Sequence, residues 1–161
     1  MRAMQTAAVL TISDSSSRGE RADLSGPAVA ELLRQNGFEV THQEILPDDQ
    51  PQIEETMIRL AEQVHLVVTT GGTGIAERDV TPEATRAVCS KLVDGLPQKM
   101  RSVGGTHTPY AALSRGVCGI RGRALILNLP GNPSGAVESL EAVIDILPHA
   151  VDLLAGKTGH A

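Results

Sequence analysis

Short apolar runs alternate with amphipathic stretches along most of the chain. Residues 7–12 and 66–70 are rich in apolar and β-branched side chains, which is typical of strands buried on both faces of a parallel sheet. A strand is also indicated at about 38–46, and a strand pair is expected at 117–120 and 124–129 around a polar turn. These runs predict the strands of one mostly parallel sheet.

Helix signals fill the intervals between these strands. Ser25 and Thr81 each stand shortly before a proline and are expected to cap helices, and Thr108 gives the same signal. A last helical region from about position 134 is expected to break near Pro148. A further helix is predicted by apolar residues at helical spacing, namely Ile53, Met57, Leu60 and Ala61. The expected helix stops are Gly37 and Gly116.

Strands that alternate with helices indicate an α/β fold of three layers. The chain has 161 residues, which is the usual length of one domain. We therefore expect residues 1–161 to form a single domain with a mostly parallel sheet and helices on both faces. Because ligands of such folds bind at the carboxyl ends of the strands, the polar segments that follow the strands are the candidate site.

The charge balance argues against a nucleic-acid partner. Fourteen Lys and Arg stand against 19 Asp and Glu, which gives a net charge of −5, whereas nucleic-acid-binding domains normally carry a basic surface. With one Phe, one Tyr and no Trp, the chain also offers few rings on which bases could stack.

Cysteine usage and the lack of long apolar runs point to a cytoplasmic protein. Cys89 and Cys118 belong to no Cys-x-x-Cys or Cys/His cluster, so we expect two reduced thiols, with a disulfide or a zinc site as the alternative. No run is long enough to span a membrane, and the first residues do not resemble a signal peptide. We expect a cytoplasmic location and no membrane partner.

The segment at 69–84 carries the strongest chemical signal. Gly71, Gly72 and Gly74 follow a buried strand, and glycines allow the backbone to bend sharply and to present N–H groups to an anion. Arg78 is a phosphate-type cation and Asp79 a Mg²⁺-type ligand. The segment therefore favours metal-assisted phosphoryl or nucleotidyl chemistry. The alternative is a tight strand–helix connection with a solvated charge pair.

Three other loops are expected to open onto the same crevice. Asp48-Asp49 ends the neighbouring strand and supplies either a second carboxylate or merely a helix cap. The polar stretch from Ser13 is either a mobile loop or a lid that contacts phosphate. Residues 130–133 form either a simple turn or a helix N-terminus that faces a ligand.

Together these motifs resemble the molybdenum cofactor biosynthesis family, which includes the bacterial molybdopterin adenylyltransferases and is related to domains of the scaffold protein gephyrin. The resemblance covers nearly the whole chain in order. The segments that carry it are 11–14, 17–20, 23–27, Gly71-Gly72-Thr73-Gly74, Arg78-Asp79-Val80-Thr81-Pro82-Glu83-Ala84, Leu113-Ser114-Arg115 and 128–133.

The resemblance implies an adenylyltransferase that moves AMP from Mg-ATP to the terminal phosphate of molybdopterin and releases pyrophosphate. It implies a homo-oligomer, a trimer or hexamer, and a possible molybdenum-insertion partner. By resemblance, Asp48 and Asp79 match the catalytic and Mg²⁺-binding carboxylates. The matched cofactor-binding residues are Ser13, Gly71, Gly72, Thr73, Gly74, Ser114, Pro130, Gly131 and Asn132.

Two other interpretations stay open beside the enzyme. One is a catalytically idle pterin-binding or scaffold protein, and the other is a nucleotide pyrophosphatase of the related competence-damage type. Ile75 stands where many adenylyltransferases of the family have Pro or Leu. The chain nevertheless keeps both Arg78-Asp79 and the following Val-Thr-Pro, which favours an active enzyme.

Overall fold

A computed structural model describes residues 4–157 and shows, within them, one six-stranded sheet. Its strands are β1 (Gln5–Ile12), β2 (Phe38–Leu46), β3 (Leu66–Thr70), β4 (Lys91–Leu92), β5 (Cys118–Arg121) and β6 (Ala124–Leu129). The order across the sheet is β2-β1-β3-β6-β5-β4. The first four strands in this order are mutually parallel, and β5 runs antiparallel to both β6 and β4. The mostly parallel sheet predicted from the sequence is confirmed.

Helices cover both faces of this sheet. They are α1 (Asp14–Ser17), α2 (Ser25–Gln35), α3 (Gln50–Ala61), α4 (Thr81–Val88), α5 (Gly95–Gly104), α6 (Pro133–Val143) and α7 (Leu147–Leu154), with a 3-10 helix at Pro109–Leu113. Within the range 4–157, no helix is long and apolar enough to cross a membrane.

Alternate strand residues point to opposite faces and build two separate cores. On one face Val9, Val68 and Leu127 pack with α2, α5, α6 and α7. On the other face Leu10 and Val67 pack with α3 and α4. Because both faces of the central strands are buried, the sequence of these strands is continuously apolar and does not alternate. The three-layer α/β class is therefore confirmed.

Two of the three predicted helix caps are wrong. Ser25 is the first residue of α2, and its hydroxyl is hydrogen-bonded to that of Thr70 at 2.8 Å, while the carboxylate of Asp23 accepts from the Gly26 N–H at 3.0 Å. Thr81 likewise lies inside α4, where its hydroxyl donates to the Gly71 carbonyl at 3.0 Å. Both positions are occupied by tertiary contacts that a local cap pattern does not reveal. Thr108 does cap its helix, because its Oγ1 accepts from the Tyr110 N–H.

Other departures concern short elements. The segment after Thr108 is a 3-10 helix that ends at Leu113 and not at Gly116. The sequence pattern did not predict α5 at all, and the polar stretch after Ser13 begins with the one-turn helix α1. The last helical region does break, since α6 ends at Val143 and α7 begins at Leu147, just before Pro148.

Gly71 joins β3 to the candidate site through a conformation that only glycine adopts readily. Its φ is +96°, and a Cβ atom at this position would overlap the carbonyl oxygen of Ile12. Its N–H donates to the Leu129 carbonyl at 3.1 Å. The backbone of β3 is thus clamped between the ends of β1 and β6, and any side chain would force these strands apart.

We expect Gly71→Ala to destabilise the fold much more than Gly122→Ala. Gly122 also has a positive φ, +59°, but a Cβ there would meet no atom within 4 Å. The control change therefore carries only the backbone strain of about 1–2 kcal/mol, whereas Gly71→Ala adds overpacking of about 1–3 kcal/mol. Urea unfolding measures both, and equal midpoints for the two variants would contradict the clamp.

Candidate functional site

The loops that follow β1, β2, β3 and β6 gather at the carboxyl edge of the sheet. Their backbones approach very closely: a Cβ on Gly131 would lie 3.1 Å from the Cα of Gly71, and a Cβ on Gly72 would lie 3.0 Å from Oδ1 of Asp48. Loops at this edge form the usual ligand crevice of parallel α/β folds. The crevice predicted from the sequence therefore has a physical counterpart.

Two cavities occupy this crevice and share part of their walls. The larger has a volume of about 740 Å³ and the smaller about 370 Å³. Their common lining consists of Gly72, Asp79, Gly131 and Asn132, which we call the junction. A site of this shape can hold two ligands whose ends meet beside one carboxylate, the side chain of Asp79.

Every residue that the resemblance matched to the site lines one or both of these cavities. Arg78, which the glycine-rich segment offered as a phosphate-type cation, lines neither cavity and pairs with Asp14. Four of the matched residues form the junction, as described above. Those that line only the smaller cavity are Ser13, Asp48 and Gly71, and those that line only the larger one are Thr73, Gly74, Ser114 and Pro130. The fold thus brings together residues from five segments that are up to about 120 positions apart in the chain, namely the loops after β1, β2, β3 and β6 and the connection before β5.

Some of these polar side chains also have structural tasks. Oγ of Ser13 accepts from the Ser16 N–H and caps α1, and Oδ1 of Asn132 accepts from the Gly135 N–H and caps α6. Oγ of Ser114 accepts from the Gly116 N–H. In the 130–133 segment, the turn and the ligand-facing helix N-terminus are therefore compatible interpretations, because Asn132 caps α6 while lining the junction.

Asp48 is held in the smaller cavity by a reciprocal pair of hydrogen bonds with Asp14. Its Oδ2 accepts from the Asp14 N–H at 3.0 Å, and its own N–H donates to Oδ1 of Asp14 at 2.9 Å. The helix-cap alternative applies to its neighbour, because Asp49 caps α3 by accepting from the Gln52 N–H. Of Asp48 and Asp49, it is therefore Asp48 whose carboxylate faces the crevice.

Asp48 and Asp14 have opposite electrostatic environments. Burial raises the pKa of Asp48, and the negative charges of Asp14 and Asp79 raise it further. Hydrogen bonds from Arg78 lower the pKa of Asp14, since Nε and Nη2 of Arg78 donate to its two oxygens at 2.6 and 2.9 Å. Arg78 therefore neutralises Asp14. Among residues 4–157 no cation is bonded to Asp48, on which Arg78 acts only through its charge.

Asp79 stands on a small loop that Arg115 holds closed. Oδ2 of Asp79 accepts from the Ala76 N–H, and its own N–H donates to the Ala76 carbonyl, both at 3.0 Å. Nε and Nη2 of Arg115 donate to the carbonyls of Gly74 and Asp79, both at 2.8 Å. Arg115 also pairs with Glu83 at 2.7 Å. These contacts of Arg115 fix the loop that carries Asp79.

The sequence did not single out Arg115 as a site residue. It lies within a motif of the family resemblance, but no local pattern shows that a guanidinium bonds carbonyls some 40 positions earlier. Asp14, which positions Asp48, likewise lies within a motif of the resemblance and was not predicted as a site residue. Contacts across such distances in the chain follow from the packing of the loops and not from their composition.

The described residues fit a magnesium ion that arrives with a phosphate ligand. Residues 4–157 contain no group of three or more His, Cys, Asp and Glu side chains placed to hold a metal. Mg²⁺, however, commonly binds through one or two carboxylates and completes its shell with substrate phosphates and water. Asp48 and Asp79 supply two carboxylates whose negative charges repel each other, and a cation between them would relieve that repulsion.

The fold and the site together define an α/β domain with a two-part crevice, whose two cavities meet beside the carboxylate of Asp79. The chain belongs to the family described as the probable molybdopterin binding domain, which matches residues 8–149. The resemblance inferred from the sequence motifs is thereby confirmed.

Curated relatives and solved structures agree with this assignment. The molybdopterin adenylyltransferase of Helicobacter pylori strain J99 is 46% identical over 154 residues, which are 92% of this chain and 87% of that protein. The molybdopterin adenylyltransferase of Escherichia coli K12 is 41% identical over 165 residues, and the match covers 92% of this chain and 84% of that protein. The crystal structure of the molybdopterin biosynthesis enzyme MoaB from Thermus thermophilus superposes with a TM-score of 0.90 at 51% identity, covering 96% and 98% of the two chains.

We expect Arg115→Ala to loosen the loop that carries Asp79 while leaving the sheet intact. The variant loses both side-chain hydrogen bonds to the carbonyls of Gly74 and Asp79, so the amides of Ala76 and Asp79 should exchange with solvent about 10-fold faster or more. Glu83→Gln is the matched control, because it weakens a half-exposed ion pair but leaves both carbonyl bonds. Equal exchange in the two variants would show that Arg115 does not hold this loop.

A second prediction concerns the pH dependence of stability at Asp48. Because the pKa of this carboxyl is raised in the folded protein, its charged form destabilises the fold above that pKa. We expect Asp48→Asn to increase the free energy of unfolding at neutral pH. The gain should shrink as the pH falls through the raised pKa and vanish below the ordinary value of 3.8.

Asp14→Asn is the control with the opposite sign. The pKa of Asp14 is lowered, so its charge stabilises the fold above its ordinary pKa, and this contribution is lost as the pH falls through the lowered value. We expect this variant to be less stable at neutral pH, by a small amount because the ion pair with Arg78 is largely exposed. Urea unfolding across pH tests both, and a destabilised Asp48→Asn would contradict the assignment.

Proposed function

We propose that this protein is a molybdopterin adenylyltransferase of molybdenum cofactor biosynthesis. It transfers AMP from Mg-ATP to the terminal phosphate of molybdopterin and releases pyrophosphate. The observation that carries the proposal is the junction, where two cavities meet beside Asp79 with Asp48 in the smaller cavity. The family match and the relatives named molybdopterin adenylyltransferase support the choice of substrates.

The reaction requires alignment of two phosphates more than any reactive group of the protein. A phosphate oxygen of molybdopterin attacks the α-phosphorus of ATP, a new P–O bond forms, and the bond to the bridging oxygen of pyrophosphate breaks. The attacking oxygen belongs to the substrate, so the protein needs no nucleophile of its own. Holding two reactants in line supplies a large share of the rate enhancement in such transfers.

The residues divide these tasks between the two cavities. The smaller cavity, with Arg21, Ser13 and Ser16 in its wall, suits the phosphates of ATP, since cations and hydroxyls bind phosphate oxygens. Asp48 and Asp79 would hold Mg²⁺, which neutralises phosphate charge when bound. Gly71 and Gly72 also line this cavity, so their backbone forms part of the wall that a phosphate would contact.

The proposal extends to the setting of the enzyme. Cys89 and Cys118 are free, and burial raises their pKa values to about 11 and 12, so both thiols stay protonated, as suits the cytoplasm. We take the protein to be a trimer or hexamer that passes its product to a molybdenum-insertion protein, as the resemblance implies. The exposed aliphatic side chains of Ile45 and Leu153 offer contact surface for self-association.

The carboxylates give the sharpest test. We expect Asp79→Asn to abolish AMP transfer while molybdopterin binding stays within a few-fold, and Asp48→Ala to slow turnover by about 100-fold or more. Asp145→Asn is the control, because Asp145 is exposed and lines neither cavity. Pyrophosphate release and the mass of the adenylylated pterin measure the reaction.

Each alternative function predicts a different result in that assay. A wild-type protein that binds molybdopterin but forms no adenylylated product with Mg-ATP would be the idle or scaffold protein. Pyrophosphate release that does not depend on molybdopterin would indicate the nucleotide pyrophosphatase. Equal loss of binding and turnover in Asp79→Asn, with the fold intact, would make Asp79 a binding residue.

A further inference from the structure

The chain's two aromatic residues lie in opposite environments. Phe38 is 2% exposed and belongs to the core, whereas Tyr110 is 75% exposed and lines the larger cavity. With no Trp in the sequence, Tyr110 offers the largest aromatic ring in the described lining of this cavity, beside the smaller imidazole of His107. A large exposed ring at the wall of a cavity gains free energy when a flat apolar surface covers it.

Local contacts hold the backbone that carries Tyr110. Tyr110 lies on the 3-10 helix Pro109–Leu113, whose first turn is capped when Oγ1 of Thr108 accepts from the Tyr110 N–H at 3.3 Å. The neighbouring Ala111 packs closely on α5, since a Cβ on Gly104 would lie 3.0 Å from its methyl group. The backbone of Tyr110 is therefore held beside the cavity by local structure, and only the rotation of its own side chain positions the ring.

Glu138 of α6 lines the same cavity, and within residues 4–157 its carboxylate has no hydrogen bond or ion pair. The other acid of this cavity, Asp79, already accepts from the Ala76 N–H. The two oxygens of a carboxylate can accept two parallel N–H bonds. A pterin presents such a pair, N3–H and the 2-amino group, on one edge. Adenine presents one donor beside an acceptor nitrogen and does not match a carboxylate.

We propose that Tyr110 and Glu138 form the pterin-binding subsite, with Tyr110 stacked on the bicyclic ring and Glu138 accepting from its N3–H and 2-amino group. The inference rests on the proposed function and assigns the larger cavity to molybdopterin. The pyrimidine ring and the phosphate are at opposite ends of that substrate. Anchoring the ring on Tyr110 and Glu138 leaves the phosphate free to reach the junction, where ATP enters from the smaller cavity.

Titration with 6-hydroxymethylpterin, which carries the ring but no phosphate, tests the subsite without catalysis. Tyr110 is the only tyrosine and there is no tryptophan, so quenching of tyrosine emission reports directly on stacking in the wild-type protein. Calorimetry measures affinity in the variants. We expect Tyr110→Ala to weaken pterin binding by about 5- to 100-fold and Tyr110→Phe to retain it, as stacking on an aromatic ring predicts.

Glu138→Gln tests the edge contact, with Glu141→Gln on the same helix as control, because Glu141 is exposed and lines neither cavity. We expect Glu138→Gln to lose about 10- to 100-fold in pterin affinity and the control to lose nothing. Lumazine, in which an oxo group replaces the 2-amino group, should bind the wild-type protein more weakly than the pterin. That preference should disappear in Glu138→Gln. Mg-ATP binding should be unchanged in all four variants.

Several outcomes would overturn the subsite. They are wild-type protein that does not bind 6-hydroxymethylpterin, adenosine that quenches Tyr110 and competes with the pterin, and unchanged pterin affinity in Tyr110→Ala or Glu138→Gln. A shift of oligomeric state in Tyr110→Ala with unchanged affinity would place the ring in a subunit contact. If the wild-type protein forms adenylylated molybdopterin while these variants bind the pterin normally, the subsite is wrong and the enzyme assignment stands.

Discussion

The site depends on how closely three backbone segments approach one another at the carboxyl edge of the sheet. Gly71 lies against the carbonyl of Ile12, and Gly131 lies against Gly71. A side chain at either glycine would separate the strands that meet there. Because the backbones touch, the loops beyond them bring Asp48 and Asp79 close enough for their charges to interact. The two cavities meet at this same point.

This arrangement concentrates negative charge, and the structure compensates only part of it. Arg78 neutralises Asp14, and Arg115 fixes the loop of Asp79 through backbone carbonyls without binding its carboxylate. Asp48 remains partly buried with a raised pKa, and no cation in the described part of the chain is bonded to its carboxylate. An uncompensated carboxylate costs stability, and such groups are typical of functional sites because a ligand supplies the missing charge.

The division into two cavities gives a physical basis for a reaction between two bound molecules. A single wide crevice would let both substrates move. Two cavities that share the junction of Gly72, Asp79, Gly131 and Asn132 define where the ends of the two substrates meet. The wall of the smaller cavity is largely polar, whereas the larger cavity adds Tyr110 and the apolar side chains of Met100 and Leu113 to its polar residues. The two cavities therefore favour chemically different ligands. The rigid sheet supports both cavities, so the fold sets their relative position.

The sequence by itself determined the layered α/β class and the glycine-rich turn at 71–74, because continuous apolar strands and clustered glycines are local signals that do not depend on packing. The full set of candidate residues came from the family resemblance. The tertiary structure alone decided which polar groups cap helices and which serve the site. Thr81 bonds the Gly71 carbonyl in place of capping α4, and Arg115 closes a loop far away in the chain. Glu138 faces the larger cavity only because α6 packs beside it. Such pairings join residues that chain distance separates, and only the packing of the loops brings them into contact.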